Sequence, residues 1–151
     1  MVRTMDSIET SSKYTITSLE ALNTIYKKPK DVVLEKQTDH ITEPGRDFIA
    51  ASPFLILSTA SDAGIDSSPK GDAPGFVQVV NKRLLLIPDR PGNNRIDGMK
   101  NIIANPKVGI IFMVPGANDT FRVNGSAKIS VDPALLSRFV VQNKLPRAVI
   151  V

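Results

Sequence analysis

A chain of 151 residues, 42% hydrophobic and 23% charged, has the make-up of one globular unit, long enough to bury a core without disulfide or metal staples. It holds no cysteine and one histidine, His40, which excludes thiolate metal sites, disulfides, a cysteine nucleophile and a multi-histidine metal centre. The net charge of +4 comes from 19 basic and 15 acidic residues without a basic block or any Trp, so nucleic acid is not an expected partner.

The longest apolar run, Val108 to Val114, spans seven residues, against about 20 for a membrane-spanning helix. The first twenty residues lack the apolar segment of a secretory signal. The expectation is a cytoplasmic protein with no membrane partner.

In chain order, the capping-box pattern Thr17-Ser18-Leu19-Glu20 opens a short helix with Leu22, Ile25 and Tyr26 on one side, ended by Lys27-Lys28-Pro29. A second helix begins near Thr42, with Pro44 in its first turn and Phe48, Ile49 and Ala50 facing inward. Residues 1–42 are expected as a helical or extended segment packed on a domain of residues 43–151. The texture then turns to strands: Phe54 to Leu57, a turn at Ser61-Asp62-Ala63-Gly64, and an extended stretch through Ser67-Ser68. The loop Ser67-Ser68-Pro69-Lys70-Gly71-Asp72-Ala73-Pro74-Gly75-Phe76 follows, and then Phe76 to Val80 and Arg83 to Ile87 about a tight turn at Asn81-Lys82.

Farther on, the spacing predicts a helix from Asn94 to Ala104 and a buried strand from Val108 to Val114. The cleanest alternation lies at 121–130, with Phe121, Val123, Gly125, Ala127 and Ile129 on one face and Arg122 and Asn124 on the other. A helix from Pro133 to Gln142, capped by Asp132, and a strand from Ala148 complete the series. Short turns between most strands favour a mainly β, antiparallel barrel with peripheral helices over a parallel sheet.

The chemistry concentrates in Pro88-Asp89-Arg90-Pro91-Gly92-Asn93-Asn94-Arg95-Ile96-Asp97, a rigid loop leaving a strand and entering a helix. Helix-start N–H groups, two guanidinium forks and two asparagine amides suit an anion such as phosphate. The plainer reading, an Asn-capped loop with arginines paired to Asp89 and Asp97, stands beside it. For the 67–76 loop, Lys70 and Ser68 suit a phosphate and Gly75 suits a flat ligand, while a wide turn in which Asp72 bonds its own backbone is the commoner explanation. Arg122 and Asn124 face solvent, a partner chain or a ligand. His40 follows Asp39 and has no nucleophile beside it. Asp62, Asp66 and Asp72 lack the ligand order of a calcium loop, and Ser52 and Ser58 lack a nucleophile elbow. The sequence shows no self-sufficient acid, base or nucleophile, and a phosphate-binding protein of that kind often borrows its chemistry from a cofactor.

Four strings occur in one order: S-P-K-G-D-A-P-G-F-V at 68–77, P-D-R-P-G-N-N-R-I-D at 88–97, N-I-I-A-N-P-K-V-G at 101–109 and R-V-N-G-S-A at 122–127. Together they make residues 43–151 resemble the pyridoxamine 5'-phosphate oxidase-like family of FMN-binding split barrels, most closely a bacterial flavoprotein subgroup. The resemblance implies a six-stranded antiparallel split β-barrel, a homodimer with FMN at the subunit interface, and an FMN-dependent oxidoreductase. It implies that Arg90, Asn93, Asn94 and Arg95 hold the FMN phosphate with Lys70 and Ser68. The backbone around Gly75, Phe76 and Val77 would edge the isoalloxazine, Pro88 and Asp89 would flank the ribityl chain, and Arg122 and Asn124 would face the dimer interface. The oxidase's own C-terminal arginine and histidine residues for its vitamin substrate have no match here, which leaves the substrate open. The resemblance also implies a further strand and helix beyond Val151. The alternative is a non-enzymatic binder or sensor of flavin, haem or another phosphorylated small molecule on the same barrel.

Overall fold

The computed structural model describes residues 14–151. The chain divides into two compact units, 1–38 and 39–151. The first carries two short helices, α1 (Leu19–Ile25) and α2 (Asp31–Glu35). Ser18, rather than Thr17, caps α1 by accepting the Ala21 N–H. Sequence reading did not pick out α2, and neither helix has a buried residue.

The second unit opens with α3 (Glu43–Ala51), where the Thr42 hydroxyl accepts the Gly45 N–H and Pro44 sits in the first turn, as the sequence predicts. Strands β1 (Phe54–Ser61) and β2 (Gly64–Gly71) form the first hairpin, and β3 (Gln78–Asn81) and β4 (Leu84–Asp89) the second. After α4 (Asp97–Ala104) come β5 (Lys107–Met113), β6 (Thr120–Ser126), β7 (Ile129–Ser130), α5 (Pro133–Leu136) and β8 (Ala148–Ile150).

These strands pair as two four-stranded antiparallel sheets, ordered β2-β1-β5-β6 and β3-β4-β8-β7. The architecture is mainly β with helices at the periphery, but the pairings do not close a single six-stranded barrel. Both sheets contribute to one core: Leu55, Leu57, Ile110 and Phe112 from the first meet Ile87 and Ile150 from the second. Leu55 and Phe112 are fully buried, and burial of each such side chain stabilises the fold by about 1.5–3 kcal/mol.

The alternation at 121–130 belongs to two strands. The chain leaves β6, and its pairing with β5, after Ser126, turns a corner where the Ala127 N–H donates to Pro106 O and the Lys128 N–H to Val151 O, and pairs with β8 as β7. Phe121, Val123, Ala127 and Ile129 all meet the core, whereas Gly125 is exposed.

Three other predicted boundaries move. Residues 64–71 are strand, so the expected loop shrinks to 72–77; Pro69 is accommodated because β2 is an edge strand. The predicted helix at Asn94 starts at Asp97, since Asn94 has φ 62°. The helix predicted to Gln142 ends in a 3-10 turn, Ser137–Phe139, and Gln142 and Asn143 stand at φ 50° and 59°, which a right-handed helix cannot contain. Asp132 does cap it, accepting the Ala134 N–H at 2.9 Å.

Candidate functional site

A cleft of about 420 Å³ opens where edge strand β2 of the first sheet faces the end of β4 and the start of β8 in the second. Alternation along β2 puts Ser68 and Lys70 opposite Leu57 and Leu55, on the face turned toward the core, and so into the cleft. Pro88 and Asp89 line it from the last residues of β4, and Arg90, Asn93, Asn94 and Arg95 from the loop beyond. Phe76 reaches it from the 72–77 loop, and Met99, Ile129 and Ala148 add apolar surface.

Most cations of the cleft are neutralised within the protein. Lys70 Nζ lies 3.1 Å from Asp89 Oδ1, a half-buried pair that ties the two sheets together across the cleft floor. Arg90 donates through Nε to Asp72 Oδ2 at 2.8 Å and through Nη1 to Phe139 O at 2.5 Å. One guanidinium therefore latches the 72–77 loop and the 3-10 turn to the loop after β4. Burial pushes the Asp72 carboxyl up, but the Ala73 N–H and the Arg90 guanidinium outweigh it and hold the group below its ordinary value. Arg95 folds back on Asp97, with Nε at 3.2 Å and Nη2 at 3.1 Å from Oδ2, and its side chain is 77% exposed.

The plainer readings of both loops thus hold in part: Asp72 also accepts the Ala73 N–H at 2.8 Å, and Arg95 pairs with Asp97. The helix-start argument needs correction. Asn93 and Asn94 lie upstream of α4, Asn93 Oδ1 accepts the Arg95 N–H at 3.0 Å, and Asp97 occupies the first turn.

Other predicted site residues lie elsewhere. Val77 is 4% exposed and belongs to the core. Gly75, at φ 83°, turns its open side toward Ala50 O and is not part of the cleft lining. Arg122 and Asn124 are exposed on the outer face of the first sheet, in register with Ile111 and Gly109. His40 also lies away from the cleft. Its ring nitrogen bonds Asp39 at 2.9 Å, and with Arg83 it holds the exposed Asp39 carboxyl below its ordinary value.

Sequence reasoning missed Arg147. Its N–H donates to Asp89 O at 2.9 Å, and Asp89 pairs with Ala148 in register, so the residue before β8 is carried to the cleft. Its Nη1 donates to Asn94 Oδ1. The pairing of β4 with β8 is non-local and leaves no trace in the pattern around Pro146-Arg147-Ala148.

A second polar cluster is structural. Asn101, 6% exposed on α4, donates to Thr59 Oγ1 and Gly64 O and accepts from Ser61 Oγ, which pins the helix to the β1–β2 hairpin. Ser52, also buried, donates to Phe54 O and Met113 O rather than serving as a nucleophile. Among the described residues no cluster of three or more carboxylates and histidines can hold a metal, and no helix is long and apolar enough to cross a membrane.

Two packed antiparallel sheets meet at a cationic, partly apolar cleft. The family model for pyridoxamine 5'-phosphate oxidase matches residues 41–150, and the chain belongs to that family. Its fold is similar to that of HupZ from Group A Streptococcus, with TM-score 0.57 and 22% identity over 73% of this chain and 86% of that one. It is also similar to a Lactobacillus delbrueckii protein named for pyridoxamine 5'-phosphate oxidase, with TM-score 0.57 and 17% identity over 76% and 88% of the two chains. No curated protein matches the sequence.

Proposed function

We propose that the chain is an FMN-binding flavoprotein of the split-barrel type, working as an FMN-dependent oxidoreductase. The observation that carries this reading is the convergence of Arg90, Arg95, Arg147 and Lys70 on one cleft that also presents the apolar side chains of Phe76, Met99 and Ile129. A phosphorylated tail suits the arginine end, and a flat ring suits Phe76, Met99 and Ile129; the cleft volume lies in the usual range for cofactor sites. Arg95, Asn93, Asn94 and Ser68 hold the phosphate in this reading, with Lys70 beside them, and Pro88 and Asp89 flank the ribityl chain. Arg90 acts by bracing the loop. Bound there, FMN supplies the electron acceptor and donor that the side chains lack.

The subunits pair through the outer face of the first sheet. Ile56, Ile111 and Met113 are half-buried there, Phe54 is 37% exposed, and Arg122 and Asn124 form a polar margin. These apolar side chains support a homodimer.

The second reading, a flavin binder or sensor without turnover, is favoured by one feature: Asp72 and Asp89, the carboxylates nearest the cleft, are both committed to ion pairs. Haem has less support, because the lining contains no His, Cys or Tyr to serve as axial ligand. The test is spectroscopic. Protein mixed with FMN and freed of excess is expected to retain flavin absorption near one equivalent per chain, and colourless protein overturns both flavin readings. Catalytic oxidation of a reduced nicotinamide by the loaded protein separates the enzyme from the binder.

A further inference from the structure

The four cations of the cleft differ in what they already hold. Lys70 has Asp89, Arg90 has Asp72, and Arg95 has Asp97. Arg147 has no carboxylate partner among the described residues; its guanidinium meets only the neutral amide oxygen of Asn94. An arriving anion must compete with a carboxylate for each of the first three, at the cost of leaving that carboxylate behind. At Arg147 it displaces only a neutral amide oxygen, and no carboxylate is left without its partner.

We infer that Arg147 is a further residue that reads the phosphate monoester, beside the paired cations already placed around the cleft. The inference rests on the FMN reading above and deepens it: Arg147 makes the site select a phosphorylated flavin over its dephosphorylated form. The backbone is built for this. The bond from the Arg147 N–H to Asp89 O, together with the β4–β8 register, fixes where the side chain leaves the sheet. Asn94, at φ 62°, accepts a hydrogen bond from the guanidinium and holds the fork at the cleft lining until a ligand takes its place. The planar fork matches two oxygens of a phosphate, which an ammonium cannot do.

The experiment titrates the full chain and its R147A and R147K variants with FMN and with riboflavin, followed by flavin fluorescence, with thermal melts to establish that each variant folds. Wild type is expected to prefer FMN. R147A is expected to lose roughly 10- to 100-fold in FMN affinity with little change for riboflavin, and R147K to recover part of the preference. A folded R147A that keeps the wild-type preference for FMN overturns this inference and leaves the flavin reading standing. A wild-type chain that binds neither flavin overturns the flavin reading and this inference together.

Discussion

Arg95 and Arg147 line one cleft, yet the charge on Arg95 is already shared with Asp97. Arg95→Ala is therefore expected to weaken FMN binding by about three- to ten-fold, less than loss of an uncommitted guanidinium, with the melting temperature unchanged because the side chain is 77% exposed. An FMN Kd equal to wild type would remove Arg95 from the phosphate site. Packing sets equally specific demands. A Cβ on Gly45 would stand 2.4 Å from Cζ of Phe121, so Gly45→Ala is expected to destabilise the protein by about 1–3 kcal/mol as the ring is forced aside. Buried Asn101 satisfies Thr59, Ser61 and Gly64 at once. Its replacement by Ala is expected to cost about 2–3 kcal/mol in urea unfolding, since those groups lose their partners. Gly45 and Asn101 gave no sequence signal of these roles, because their partners lie far along the chain.

At the scale of elements, the Arg90 latch joins three segments that local propensity leaves independent: the 72–77 loop, the loop after β4 and the 3-10 turn before Val140. Because the Asp72 carboxyl is held below its ordinary value in the fold, the pair contributes its full stability above the unfolded value, about pH 3.9, and loses it as pH falls through the folded value. Asp72→Asn is expected to lower stability by about 1 kcal/mol at pH 7, a shift of a few degrees in Tm, with the gap to wild type closing in acid. A gap that stays constant down to pH 2 would show that the ion pair does not stabilise the fold. The same latch explains a limit of pattern reading. The prolines and glycines of 67–76 suggest a loop, yet pairing with β1 holds 67–71 extended, Pro69 included, since an edge strand can spare its N–H.

At the scale of the whole molecule, the two sheets share a core but leave Phe54, Ile56, Ile111 and Met113 on the outer face of the first one, beside the polar Arg122 and Asn124. If that face joins two copies, Ile111→Lys is expected to give a monomer by light scattering and to weaken FMN retention, because a charge at its centre cannot be desolvated without a partner. A dimer that survives the substitution would place the contact elsewhere. The class of fold and much of the cleft were legible beforehand. Apolar alternation, turn residues and the doubly basic loop at 88–97 are local signals, and they marked most strands, the helix starts at Thr42 and Asp132, and the 88–97 loop as a candidate anion site; that Ser68 and Lys70 join it came from the family resemblance.

Other features depended on tertiary contacts between distant segments. That the strands form two sheets, that 121–130 changes sheet at Ala127, that Val77 enters the core and that Arg147 reaches Asn94 all follow from antiparallel pairings whose register is set by burial in three dimensions. Period and capping are written in neighbouring residues, and so the sequence determined them by itself. Which cation keeps its charge for a ligand depends on which carboxylates the fold brings within 4 Å, and only the folded chain decided that.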